Sequence, residues 1–142
     1  MKIGDDILAE VRGARTIAVV GLSDNPARPS FGVARYLQSQ GYRIIPVNPG
    51  VSEVLGERAY ASLDDIPAAQ RPEIVDVFRR AEFVPEIAAA AARIGARLLW
   101  LQEGVSHPQA EAAAAAAGML VVSDACLLKV HSRFVRAQEN TA

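Results

Sequence analysis

Thr16-Ile17-Ala18-Val19-Val20-Gly21 is the stretch on which the reading of this chain turns. It is β-branched and apolar with no polar alternation, the pattern of a central parallel strand buried on both faces. The closing glycine lets the chain turn sharply. Ser30 to Gln40 then reads as a helix with Phe31, Ala34 and Leu37 on one face and Gly41 as its stop. The alternation repeats outward. Tyr42–Val47, Ile74–Phe78, Leu98–Leu101 and Met119–Val122 read as strands, and Val84–Ile94, closed by Gly95, as an alanine-rich helix. Ser106 reads as the N-cap of a further helix, with Pro108 in its first turn, Gln109 three residues after the cap and Gly118 at the end. Helices are also predicted at Asp5–Arg12 and Cys126–Arg136, and one short turn near Leu63–Ile66 in the irregular connection from Asn48 to Arg71. This order predicts an α/β fold: a Rossmann-like doubly wound, mainly parallel five-stranded sheet with helices on both faces.

The 142 residues fit one domain, with a core over about 14–131 and a frayed tail at 137–142. A hydrophobic share of 51% with 22% charged residues is that of an ordinary water-soluble fold. The net charge of −1 gives no attraction to nucleic acid or to an anionic membrane, so a bound anion must be held by local positive groups. Cys126 is the only cysteine and cannot close an intrachain disulfide. The start lacks a signal-peptide run and no apolar stretch is long enough to span a bilayer, so the expected location is the cytoplasm. Oligomeric state is not legible.

In doubly wound sheets the ligand crevice lies at the carboxyl ends of the strands, where the winding direction reverses. The loop after the first strand therefore matters most: Gly21-Leu22-Ser23-Asp24-Asn25-Pro26-Ala27-Arg28-Pro29-Ser30-Phe31-Gly32. Ser30 is expected to cap the next helix, whose free N–H groups and dipole attract an anion. Gly32 is expected to allow close helix-to-strand packing, and Arg28 to grip a phosphate in bidentate fashion. A dinucleotide fingerprint would be Gly-x-Gly-x-x-Gly with an acid about 20 residues further on. Here Gly-x-Ser replaces it, and the second strand ends in Pro46-Val47-Asn48-Pro49-Gly50 without an acid. NAD becomes the second choice.

Val20 to Pro26, Arg28-Pro29-Ser30, Ile45 to Pro49, Leu55-Gly56-Glu57, Val75 to Arg80 and Trp100-Leu101-Gln102-Glu103-Gly104 occur in order and with matching spacing. Together they resemble the stand-alone CoA-binding proteins, a family similar in fold to the CoA-binding domain of the succinyl-CoA synthetase α subunit. The resemblance runs from about Ala14 to His131. It implies that coenzyme A lies across the strand ends. Gly21, Ser23, Arg28 and Ser30 would meet the diphosphate, with Asn25 in the same loop, and Asn48 and Pro49 the adenosine side. Val77, Phe78 and Arg79 would line the crevice, and Gln102 and Gly104 the pantetheine path. Where the family carries Asp-Arg-Cys and Glu-His, this chain has Asp124-Ala125-Cys126 and Val130-His131.

No catalytic or metal-binding constellation stands out. Asp76, inside an apolar strand, reads as a structural hydrogen-bonding group rather than a base. Cys126 reads as a small buried hydrophobe. The alternative is a thiol activated by a helix amino end and in contact with the ligand's own thiol. His131 falls about one and a half turns later, off the helix face of Cys126, which argues against a nucleophilic pair. His107 reads as surface structure, and the dispersed histidines and cysteine give no zinc spacing. The expectation is a CoA or acyl-CoA binding protein without catalysis of its own. The alternatives are an NAD(P)-binding oxidoreductase or redox sensor, and the CoA-binding component of an acyl-CoA ligase completed by a partner chain.

Overall fold

The computed structural model describes residues 3–136; the expected frayed tail lies outside the described residues. Strands β1 (Thr16–Val20), β2 (Arg43–Val47), β5 (Ile74–Val77), β6 (Leu98–Leu101) and β7 (Leu120–Val122) form one sheet in the order β2-β1-β5-β6-β7, every neighbouring pair parallel. The chain winds from β1 to β2 in one direction, then crosses back to place β5 on the other side of β1. The reversal therefore lies between β1 and β5, where open α/β sheets leave a crevice at the carboxyl ends.

Both faces are covered, which explains the unbroken apolar strands. Ile17, Val19, Ile44, Ile74, Leu98 and Trp100 pack beneath α1 (Asp5–Gly13), α2 (Pro29–Ser39) and α5 (Leu127–Val130). Ala18, Val20, Val75, Val77, Leu99 and Leu101 pack beneath α3 (Val84–Arg93) and α4 (Pro108–Ala116). The small alanines of α3 and α4 bring these two helices close to the sheet and to each other. Among the described residues no helix is long and apolar enough to cross a membrane.

Several boundaries differ from those predicted, for identifiable reasons. Helix α2 starts at Pro29 with Arg28 as its N-cap, so Ser30 lies inside the first turn and is not the cap. Helix α4 starts at Pro108, and its cap is His107 rather than Ser106. In both cases proline takes the first helical position, where its missing N–H costs nothing and its ring pushes the preceding residue into extended backbone. The reciprocal capping predicted from Ser106 and Gln109 is made instead by His107 and Glu111, four residues apart. His107 Nδ1 accepts the Ala110 N–H at 3.1 Å, and the His107 N–H donates to Glu111 Oε2 at 2.8 Å.

The connection from 48 to 71 holds more order than expected. Strands β3 (Glu53–Val54) and β4 (Glu57–Arg58) form a small hairpin, and 3-10 turns follow at Leu63–Asp65 and Ala68–Gln70. The hairpin turn, Leu55-Gly56, has both residues at positive φ, a mirror-image turn that Asn-Gly usually signals. Leucine hid it. The predicted helix Cys126–Arg136 is α-helical only over Leu127–Val130 and continues as a π-helix over His131–Arg136. Its buried His131 receives or donates a 2.9 Å hydrogen bond at Nδ1 with Tyr36 Oη, tying this segment to α2.

Candidate functional site

Gly21 shapes the crevice first. Its φ of +84° is a left-handed conformation, and a Cβ there would lie 2.5 Å from the Phe78 carbonyl oxygen. Only glycine lets the first loop run this close to the end of β5. The Gly21 N–H donates to Val47 O and the Phe78 N–H to Val20 O, each at 2.8 Å, so the ladder extends to the lip of the crevice.

Beyond Gly21 the loop is held by its own polar groups. The Ser23 N–H donates to Ser30 Oγ at 3.0 Å, the Asn25 N–H to Ser23 Oγ at 3.0 Å and the Ala27 N–H to Asn25 Oδ1 at 2.9 Å. Ser30 is buried and serves as the anchor that folds the loop back onto α2. No side chain caps the amino end of α2. Its positive pole is thus left open on a cleft of about 370 Å³ lined by Gly21, Ser23, Arg28, Pro29, Ser30 and Phe78. Arg28, exposed at the rim, adds a full positive charge to that pole. Gly32 is not a close-packing glycine: a Cβ there would meet nothing within 4 Å, so its predicted role is withdrawn.

Asn48 joins the first loop to the second. Its Nδ2 donates to Leu22 O at 3.0 Å, while its Oδ1 accepts the Gly50 N–H at 2.8 Å. Both ends of the amide are therefore engaged in shaping the loops, with Pro49 exposed beside it. On this side a second cavity of about 260 Å³ is lined by Val20, Val47, Ser62, Asp64, Arg79 and Arg93, among others. Arg79 is half-buried and lies 4.0 Å over the Phe83 ring, which holds its guanidinium in place. Arg93 binds Asp64 at 2.8 Å, and this hydrogen bond, with the attraction between the charges, lowers the Asp64 pKa. Arg80 is exposed and paired with Glu82 at 3.2 Å, outside the crevice. Val77 is wholly buried among the α3 contacts, so it supports the crevice from below and offers it no surface.

Further along the strand ends, Gln102 is 5% exposed and donates from Nε2 to Asp76 Oδ1 at 2.6 Å. Asp76 is fully buried, and that burial pushes its carboxyl up to about 7, against the smaller opposing effect of the Gln102 hydrogen bond. The structural role read for Asp76 in the sequence agrees with this contact. The Gly104 N–H donates to Asp124 Oδ1 at 2.7 Å, so the loops after β6 and β7 are linked. Cys126 is half-buried at the N-cap of α5, beside a cavity of about 170 Å³ that also touches Glu103, Asp124, Lys129 and Phe134.

Two larger hollows lie elsewhere. One of about 490 Å³ between α3 and α4 is lined mostly by alanine, with His107 and Gln109 at its polar end. It lacks charge to hold a phosphate. Another of about 460 Å³ at the amino ends of the strands has Arg15, Arg71 and Arg97, but Glu10 and Glu73 share it. Glu73 Oε1 already accepts the N–H groups of Arg15 and Thr16, at 2.6 and 3.0 Å. Among the described residues no group of three or more His, Cys, Asp or Glu could hold a metal ion.

The predicted residues thus fall into three adjoining parts of one edge: Gly21, Ser23, Arg28, Ser30 and Phe78 at the first cleft, with Asn25 bonded within the same loop; Asn48, Pro49 and Arg79 beside the second; Gln102, Gly104 and Cys126 further along. Sequence reasoning missed Ser62, Asp64 and Arg93 in the second cavity, because they come from the irregular connection and from α3. Strand order, glycine-dependent turn and uncapped helix define a Rossmann-like fold with an open crevice at its switch point. Residues 15–132 match the family model described as CoA binding domain, and the chain belongs to that family. It is 40% identical over 119 residues to the uncharacterized protein YneT of Bacillus subtilis, covering 84% of this chain and 87% of that one. A solved Thermus thermophilus structure shares 41% identity with a TM-score of 0.85, covering 92% of this chain and 98% of the other. The ADP-forming acetate–CoA ligase II of Archaeoglobus fulgidus is 34% identical over 83 residues, 57% of this chain but only 12% of the ligase.

Proposed function

We propose that this protein binds coenzyme A, or an acyl-CoA, across the carboxyl edge of its sheet and holds it without transforming it. The observation that carries this reading is the open amino end of α2, with Arg28 at its rim and Gly21 clearing the approach. Pro29 has no N–H and the Phe31 N–H bonds to Arg28 O, so it is the helix dipole and the Ser30 N–H that suit a diphosphate, and a guanidinium adds the charge that a chain of net −1 otherwise lacks. The adenosine end would sit toward Asn48, Pro49 and Arg79, and the pantetheine arm toward Gln102, Gly104 and Cys126. Cys126 would then lie within reach of the ligand's thiol. Asn48 ties the two loops together on this side, and His131 Nδ1 shares a hydrogen bond with Tyr36. The cytoplasm is the compartment that suits this cofactor and a lone thiol.

The likeness to part of an ADP-forming ligase favours one further reading, that the chain supplies the CoA site to a partner that carries the reacting groups. Calorimetric titration with CoA, dephospho-CoA and NAD tests the ligand directly. CoA is expected to bind most tightly, and tighter binding of NAD would overturn the proposal. Arg28→Ala is expected to weaken CoA by about 1–3 kcal/mol, roughly 5- to 150-fold. An unchanged dissociation constant would remove Arg28 from the site.

A further inference from the structure

Asp76 is placed where its chemistry is least welcome. It stands in β5, the middle strand of the sheet, between Val19 and Trp100 on the neighbouring strands, with no solvent exposure. Its Oδ2 is the one side-chain nitrogen or oxygen among the described residues that is buried without a hydrogen-bond partner. Such an orphan costs stability that an apolar residue would not, so a compensating use is to be sought. Among the described residues the only side chain bonded to it is Gln102, through Nε2 at 2.6 Å.

Gln102 opens the loop at the carboxyl end of β6, its N–H held by Val77 O at 3.3 Å. Its own Oε1 has no partner among the described residues, yet it is not among the buried orphans, so the small exposure of this residue includes that oxygen. A primary amide has one donor end and one acceptor end. With the carboxyl oxygen drawing the NH2 group inward, the carbonyl must face out.

We infer that Asp76 is a positioning residue that holds the Gln102 amide with its carbonyl outward, giving the crevice a fixed acceptor that favours a ligand carrying an N–H donor there. The secondary amides of a pantetheine arm have that chemistry, and in this respect the inference rests on the CoA reading. The orientation itself rests on the protein alone. It holds in either protonation state of Asp76, because a neutral carboxyl with its proton on Oδ2 still offers Oδ1 as acceptor.

Two measurements on the full chain test it separately. In the first, without ligand, hydrogen exchange of side-chain amides is followed by NMR. The Gln102 amide should exchange at least about tenfold more slowly than that of exposed Gln109, and Asp76→Ala should abolish the difference. Equal rates in the unaltered protein overturn the positioning. In the second, CoA is compared with adenosine 3′,5′-bisphosphate, which lacks the arm. Gln102→Met, similar in shape without the acceptor, should weaken CoA by about tenfold and leave the bisphosphate unchanged. The double variant Asp76→Asn with Gln102→Glu reverses the internal hydrogen bond but keeps an outward oxygen, and should restore CoA binding to within about threefold of the original. Equal losses for both ligands, or none for CoA, overturn the donor preference. If the unaltered protein binds neither, the CoA reading and the donor preference both fall, while the exchange result still decides the orientation.

Discussion

The buried carboxyl of Asp76 predicts an unusual dependence of stability on pH. Burial raises it from an ordinary 3.8 to about 7. An acid that holds its proton more tightly when folded contributes stability that is complete below pH 3.8, declines as pH rises and is lost above about pH 7. The total is on the order of 4 kcal/mol, of which roughly 2–3 kcal/mol falls between pH 5 and pH 8. Asp76→Asn removes the titration and keeps the shape. Its own unpaired N–H group adds a cost, but one that does not vary with pH. Urea unfolding of both proteins at pH 5 and pH 8 isolates the effect and cancels the background of other titrating groups. Relative to the unaltered protein, the variant should gain roughly 2–3 kcal/mol on going from pH 5 to pH 8, a shift of about 1 M in the midpoint difference at a slope near 2 kcal/mol per molar. A difference between the two proteins that is the same at both pH values would refute the burial reasoning, because the carboxyl would then be titrating as though it were in water.

Three further substitutions probe the parts that build the crevice. Gly21→Ala combines left-handed strain with a Cβ 2.5 Å from Phe78 O, and should cost roughly 2–4 kcal/mol in denaturant unfolding as well as weaken CoA binding; a variant of unaltered stability would mean that the two strand ends separate freely. Ser30→Ala leaves the Ser23 N–H without its acceptor, for an expected loss of about 1–2 kcal/mol in thermal or urea melts and a measurable drop in CoA affinity as the loop loosens. His107→Ala removes the α4 cap, and should lower stability by about 1 kcal/mol without changing CoA affinity in calorimetry, since His107 lines the alanine-rich hollow between α3 and α4 and none of the crevice cavities.

The sheet was legible because its evidence is local. A run such as Ile17 to Val20 has no polar face, and glycines or prolines punctuate each element, so parallel strands covered on both sides follow from the chain itself. The crevice loop was legible for the same reason: Gly21, Arg28 and Ser30 sit within a few residues of a strand end. What stayed hidden depends on residues remote in the chain. Ser30 looked like a cap, but Pro29 moves the helix start and leaves its hydroxyl to receive the Ser23 N–H. Asn48 read only as a ligand contact, and its amide also ties Leu22 to Gly50. Arg79 is half-buried with its guanidinium 4.0 Å from the Phe83 ring, whereas Arg80, next in the chain, lies 5.6 Å from that ring, exposed and paired with Glu82. Asp76 is the sharpest case. Its position in an apolar strand could be read directly, but the loss of water around Oδ2 and the single hold on Gln102 arise only when β6 pairs with β5 and α2 and α5 close over that face. Patterns of hydrophobicity set which segments pair, since burial depends on composition along each strand. Hydrogen-bond partners and the dielectric around a charge belong to the assembled packing, where residues far apart in the chain meet.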